Sequence, residues 1–272
     1  MRRIAVLTAG ADSPGQNAAI RVVARNAFQH NYEVMGVKNG FKGLLHEDIF
    51  IMDIIQEKKT NIGIMGGSFN PIHMGHLFLA EQARVCFQLS SVIFLPTGLP
   101  GYPKEEMPVS PKHRIEMTSL AINPNPFFFL SRYEAENTQP SFTINTLRVF
   151  RNLYPSDKYE LYFITGADAV IDIFQWKEPE ALLTLAQFIA GSRPHFSFTD
   201  FQKAIADWPE ARSRIHIMQM PLLEISSRLI RDYIRQGKSI RYLVTAPVED
   251  YIRKYCLYSL ERRPDLLHDT NE

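Results

Sequence analysis

Gly66-Gly67-Ser68-Phe69-Asn70-Pro71-Ile72-His73-Met74-Gly75-His76 is the stretch on which the reading of this chain turns. The apolar run before it, Ile62-Gly63-Ile64-Met65, reads as a short buried strand. Leu77 to Val85 after it has the apolar spacing of a helix. The stretch is therefore a strand end, a glycine turn and a helix start. Paired glycines let the backbone approach a ligand closely. Amides at the helix start are free to bind phosphate. His73 and His76 stand three apart, with the bulk of a side chain removed at Gly75, so both imidazoles can face one anion. The histidine pair alone fits two structural histidines or a metal pair on a helix equally well.

Composition narrows the class. The chain has 272 residues, of which 45% are hydrophobic and 22% charged, an ordinary globular balance. A net charge of +1 makes no case for nucleic acid or a membrane surface as partner. No apolar run approaches the roughly 20 residues needed to span a bilayer. The start, Arg2-Arg3 and then Ile4 to Leu7, is interrupted at Gly10 and Asp12 too early for a signal peptide. Cys86 and Cys256 form no metal motif and read as reduced core residues of a cytoplasmic protein. No metal-ligating set is read in the sequence.

With its glycines, aromatic and proline in place, Gly66–His76 resembles the HxGH signature of the nucleotidylyltransferase superfamily. The form is that of the nicotinate mononucleotide adenylyltransferases. The rest of the chain, in order, carries further motifs of that family. Val92-Ile93-Phe94-Leu95-Pro96 is a second buried strand. The loop 97–111 is rich in Pro and Gly, and Lys104 is the one candidate for a family lysine that approaches phosphate. The family histidine beside it is missing. Ser110 and Pro111 open a helix as N-cap and first residue, with Met117 and Leu120 as core and Arg114 near the site-facing loop. Phe127 to Leu130 is a third strand.

Pro140-Ser141-Phe142-Thr143-Ile144-Asn145-Thr146-Leu147 resembles the family segment whose threonine meets nicotinate, and Thr143 matches. Ser141 or Thr143 also fits a helix N-cap. Glu160 to Asp168 is a strand ending in a G-x-D turn. Acids beyond the carboxyl ends of parallel strands can accept from ribose hydroxyls, and the resemblance gives Asp168 that contact. Trp176 stands where the family stacks an indole on the pyridine ring. Phe188 to Gly191 is a fifth strand, followed by Arg193 as a contact to nucleotide phosphate; His195 replaces the family glycine. Ile215 to Met220 is the last strand. Ile225-Ser226-Ser227-Arg228-Leu229-Ile230-Arg231 resembles the family motif I-S-S-T-x-I-R. Serines there cap a helix whose start faces an anion, and Arg231 reaches back to phosphate.

The fold expected is α/β, a Rossmann-like open parallel sheet with a short N-terminal βαβ appendage. The domains expected are 1–51, a linker at 52–60, the nucleotidylyltransferase domain at 61–258, and a polar tail at 259–272. The appendage has strands at Ile4–Thr8 and Glu33–Val37 and a helix from Gln16 to about His30. Ile4 to Arg21, with Gly40-Phe41-Lys42-Gly43-Leu44 downstream, resembles the opening of a 6-phosphofructokinase. That resemblance stops near residue 50, Ala11 replaces a glycine beside the ATP phosphates, and the later catalytic motifs of that family are absent.

The main resemblance implies adenylyl transfer from ATP to nicotinate mononucleotide in NAD synthesis. It implies catalytic roles for His73, His76 and Arg231. ATP contacts fall to Gly67, Ser68, Phe69, Gly75, Gly166, Asp168, Ser226, Ser227 and Lys104. The mononucleotide falls to Thr143, Trp176 and Arg193. Mg²⁺ would be held mainly by substrate phosphates. The partners are small molecules, and a homo-oligomer is compatible with the resemblance. Nicotinamide mononucleotide or another adenylyl acceptor, and a non-catalytic nucleotide sensor, are the competing readings.

Overall fold

The computed structural model describes residues 2–7, 32–37, 49–51, 59–101, 109–167, 170, 172–192, 201, 205, 208, 211–221 and 223–259. The chain divides into two compact units, Met1–Lys58 and Lys59–Glu272. In the first, β1 (Arg2–Leu7) pairs in parallel with β2 (Tyr32–Val37), in a register running from Arg2 opposite Tyr32 to Leu7 opposite Val37. A third strand, β3 (Ile49–Ile51), lies antiparallel on β2. It was not expected, because three apolar residues show no period. The helix expected at 16–30 lies outside the described residues.

The second unit is built on six parallel strands. They are β4 (Thr60–Gly67), β5 (Ser91–Pro96), β7 (Phe128–Leu130), β9 (Tyr159–Gly166), β10 (Gln187–Ser192) and β11 (Ile215–Gln219). Their order across the sheet is β11-β10-β9-β4-β5-β7. The chain begins this sheet at β4, in the middle, builds outward through β5 and β7, and returns to the other side of β4 with β9. The order reverses between β4 and β9, which is where open parallel sheets bind ligands, beyond the carboxyl ends of their strands. A small pair, β6 (Leu99–Pro100) on β8 (Pro140–Ser141), joins the loop after β5 to the segment before the third helix.

Near-continuous apolar strands need cover on both faces, and alternation along each strand sorts the residues into two cores. Ile62, Ile64, Leu95, Leu161, Phe163 and Phe188 face one core, with α3 (Thr143–Leu153) and α4 (Pro179–Leu185). Met65, Val92, Phe94, Ile164 and Ile189 face the other, with α1 (Met74–Cys86) and α2 (Pro111–Ile122). The second core is completed by α6 (Ser227–Arg235) and α7 (Ala246–Lys254), while the short α5 (Ala211–Arg214) leads into β11.

Some local expectations change. Cys86 is exposed and Cys256 is half-buried, so neither is a core thiol. Met117 is fully buried, but Leu120 only packs against the core from its edge. Ser110 occupies the N-cap of α2 without a side-chain bond. The N-cap of α3 is Phe142, so neither Ser141 nor Thr143 caps it. No helix among the described residues is long and apolar enough to cross a membrane.

Candidate functional site

The loop between β4 and α1 leaves the sheet beside the point where strand order reverses. Phe69 takes a left-handed backbone, with φ of 44°. That region costs a bulky residue about 1–3 kcal/mol. Its ring is 1% exposed, packed edge-on to His76 at 5.1 Å and against Phe94 at 5.8 Å. Burying a phenylalanine is worth about 1.5–3 kcal/mol, and each aromatic contact adds roughly 0.5–1.5 kcal/mol. The packing therefore outweighs the strain. Gly67 makes room for it: a Cβ there would stand 3.1 Å from the Phe69 ring. The Asn70–Pro71 peptide that follows is cis.

His73 caps α1 in an extended conformation and is nearly buried, at 5% exposure. Its ring stacks on His76, with centroids 3.6 Å apart and planes at 27°. The backbone N–H of His73 donates to Nδ1 of His76 at 3.2 Å. A neutral imidazole that accepts at Nδ1 carries its proton on Nε2. The bond thus makes His76 an Nε2–H donor.

The helix start is less open than the sequence suggested. The His73 amide is used by His76, the Met74 amide donates to the Leu243 carbonyl at 2.9 Å, and the His76 amide donates to the His73 carbonyl at 2.9 Å. Expected phosphate-binding amides are spent on holding the loop, because the chain closes a tight cap here.

The C-terminal helices grip the same loop. Ser226 caps α6 by accepting from the Leu229 amide at 3.1 Å. Ser227 Oγ donates to the Pro71 carbonyl at 2.9 Å, and Arg231 Nη1 donates to the Asn70 carbonyl at 2.9 Å. The Asn70 side chain, which is buried, accepts from the Tyr258 hydroxyl at 2.9 Å and from the Val109 amide at 3.3 Å. Burial raises the Tyr258 pKa well above its ordinary value, and the charges of Arg231 and Arg114 work against that shift. Tyr258 thus stays a neutral donor. Arg231 and Ser227, expected as phosphate contacts, hold the backbone of the histidine loop.

A cavity of about 220 Å³ lies at the carboxyl ends of β4, β9 and β10, lined by Gly66, His73, Gly75, His76, Thr165, Gly166, Gly191, Ser192 and Ile225, among others. It brings His73, His76, Gly75 and Gly166 together. A Cβ on Gly166 would meet nothing within 4 Å, so that strand end faces open space. A larger cavity of about 870 Å³, lined by residues of α6, α7 and the turns after them, contains no residue of the histidine motif. Its size gives it no chemistry.

Thr143 and Trp176 are elsewhere, on the α3 side of the sheet. Thr143 is the first residue of α3, and Trp176 follows a 3₁₀ turn (Ile173–Gln175). The indole is half-buried, edge-on to Phe163 at 6.2 Å and 86°. Lys177 Nζ lies 4.8 Å from the centre of the Phe142 ring. Neither Thr143 nor Trp176 lines the 220 Å³ cavity. Lys104, Asp168 and Arg193 lie outside the described residues. Among the described residues, no three of His, Cys, Asp and Glu converge as metal ligands.

Three positions had not been singled out as parts of the site: Asn70, Tyr258 and Leu243. Arg114 had been placed near it but given no role. Its one sequence signal is its spacing: position 114 shares a helix face with Met117, Thr118 and Ala121, all buried.

Comparison with known proteins agrees with this arrangement. Residues 64–233 match the cytidylyltransferase-like family. Residues 3–81 match the phosphofructokinase family, extending past residue 50 into the histidine loop and α1. A probable nicotinate-nucleotide adenylyltransferase of Desulfitobacterium hafniense is 44% identical over 207 residues, 76% of this chain and 99% of that protein. One from Thermus thermophilus is 41% identical over 198 residues, 72% of this chain and 98% of that protein. The Plasmodium falciparum nicotinic acid mononucleotide adenylyltransferase complexed with NaAD superposes with a TM-score of 0.59 at 26% identity, covering 73% of this chain and 97% of its own. With that coverage by relatives and with the histidine loop seated where the strand order reverses, the chain belongs to the nicotinate-nucleotide adenylyltransferase family.

Proposed function

We propose that the second unit transfers the adenylyl group of ATP to nicotinate mononucleotide, giving nicotinate adenine dinucleotide and pyrophosphate in NAD synthesis. The observation that carries this is the His73–His76 stack beside the cavity at the strand ends, with His76 held as an Nε2–H donor. A 5′-phosphate oxygen of the mononucleotide forms a bond to the α-phosphorus of ATP. The bond from that phosphorus to the bridging oxygen breaks, and pyrophosphate leaves with the electron pair. No protein nucleophile is needed, so catalysis is positioning and charge stabilisation. His76 donates to an α-phosphate oxygen as charge develops, and His73 backs its ring. Arg231, on the loop carbonyl, keeps the histidines in register and adds positive charge. Gly166 leaves open space for the adenosine, with Asp168 accepting from its ribose.

Lys104 and Arg193 would add cations to the phosphates. Thr143 and Trp176 form the nicotinate end. A magnesium ion carried mainly by the ATP phosphates would neutralise part of their charge. Residues 61–258 are assigned as the catalytic domain, 1–51 as an attached segment, 52–60 as linker and 259–272 as tail; the division into two units near Lys58 supports this. Cytoplasmic location goes with free thiols and a soluble substrate pair.

Pyrophosphate release measured with ATP and either the acid or the amide mononucleotide tests the reading. Turnover should require both substrates and favour the acid. Equal or better use of the amide would replace the acceptor, and no turnover with either would remove the enzyme.

A further inference from the structure

The least expected side chain near the site is Arg114, a guanidinium buried to 1% exposure on α2. Nε donates to the Val109 carbonyl at 3.0 Å, Nη1 to the Ser68 carbonyl at 2.8 Å, and Nη2 to the Gly98 carbonyl at 3.4 Å. These carbonyls belong to the loop after β4, the loop after β5, and the segment leading into α2. Among the described residues no carboxylate pairs with it. Burial lowers its pKa from the usual arginine value, and Tyr258 is the one group that acts the other way. An arginine keeps its charge even so. A buried charge without a counter-ion is costly, and a nearby ligand of opposite sign relieves that cost.

Arg151 supplies an internal comparison. It too is a guanidinium bound to carbonyls, those of Leu185, Tyr154 and Tyr159, though only half-buried. Tyr159 begins β9 and Leu185 precedes β10, so Arg151 sits at the opposite end of the sheet from the histidine loop. Its environment includes the carboxylate of Glu160. The same chemistry thus occurs twice, once with an acid nearby at the far end, and once at the ligand end with no acid paired among the described residues.

We infer that Arg114 is a positioning residue of the phosphate site: it fixes the histidine loop through the Ser68 carbonyl, and its charge is balanced by the polyphosphate of the bound substrate. This rests on the ATP site proposed above. It differs from a purely structural role in one respect. A structural arginine stabilises the free and the liganded protein equally, whereas Arg114 should stabilise the liganded form more.

Thermal unfolding of the full chain with and without pyrophosphate separates the two. The wild-type protein should melt at a higher temperature with pyrophosphate. Arg114→Gln should lose most of that increment relative to its own unliganded value, and Arg151→Gln should lose stability but keep the increment. Arg114→Lys retains the charge but not the three-carbonyl geometry. It should keep the increment while kcat/KM for ATP falls about tenfold or more through misplacement of the loop, with KM for the mononucleotide unchanged. An increment kept in Arg114→Gln, or lost equally in Arg151→Gln, overturns the inference and leaves the ATP site standing. If Arg114→Gln does not fold, Arg114→Lys decides: wild-type kcat/KM for ATP would overturn it. No increment in the wild type would remove the phosphate site itself.

Discussion

The Cβ that Gly75 lacks would stand 3.1 Å from His73 Nδ1 and 3.2 Å from its Cε1. That is tighter than an ordinary contact, so a side chain at position 75 makes the His73 ring, stacked on His76 at 3.6 Å, give by a few tenths of an ångström. The glycine therefore leaves room for the histidine pair. Gly75→Ala should shift His73 against its neighbour. Turnover should fall, by less than the roughly hundredfold that a 1 Å misplacement can cause, with little change in melting temperature. Wild-type turnover would show that the stack is not needed.

In the adenylyl-transfer reading proposed above, His76 acts through Nε2, because Nδ1 is occupied by the His73 amide. His76→Ala should lower kcat about 10²–10³-fold, the range for removing one preorganised donor to a developing charge. Circular dichroism should be unchanged. A kcat within a few-fold of wild type would remove His76 from that role.

The indole of Trp176 is half-buried and stands at 86° to the Phe163 ring, and the proposed function puts the pyridine ring of the mononucleotide against it. Trp176→Ala should raise KM for the mononucleotide far more than KM for ATP. Steady-state kinetics with each substrate varied in turn decides this. A change confined to ATP would move the nicotinate end elsewhere.

His113 joins α2 to α7, with Nδ1 3.0 Å from the Tyr251 hydroxyl and its ring 5.4 Å from Tyr255. Burial, then the charge of Lys112, lowers its pKa from 6.5. The folded protein thus prefers the neutral ring. The resulting stability is present above the unfolded value and is lost as pH falls through the lower folded one. His216 is shifted in the same direction by burial. Melting temperature should fall from pH 7.5 to pH 5, and His113→Phe should flatten that slope. An identical slope in the variant would exclude His113 as a contributor.

The two units divide at Lys58. A chain beginning at Lys59 should therefore keep wild-type kcat and KM for both substrates. A truncated protein that folds, judged by cooperative melting, but does not turn over would give the N-terminal unit a part in catalysis.

Much of the fold was legible because its signals are local. Strands such as Ser91–Pro96 and Gln187–Ser192 are short apolar runs, and α6 follows a serine cap. These depend on neighbours within a few residues, so a linear reading recovers them. What failed locally failed for the same reason in reverse. The cap of α3 fell to Phe142, and the exposure of Cys86 at the end of α1 is set by which elements happen to cover that helix.

The Gly66–His76 stretch by itself determined the strand, turn and helix, and the histidine spacing that points to an anion. Only the tertiary structure decided how that loop is held. Asn70, Pro71, Ser68 and Met74 receive or donate bonds from Arg231, Tyr258, Ser227, Arg114 and Leu243, residues far away in the chain. One of those bonds occupies the Met74 amide, which a linear reading leaves open to phosphate, and another sets the Arg231 guanidinium on the Asn70 carbonyl. Hydrogen bonds between distant segments leave no periodic trace in sequence; they exist only once the parallel sheet has brought its strand ends together.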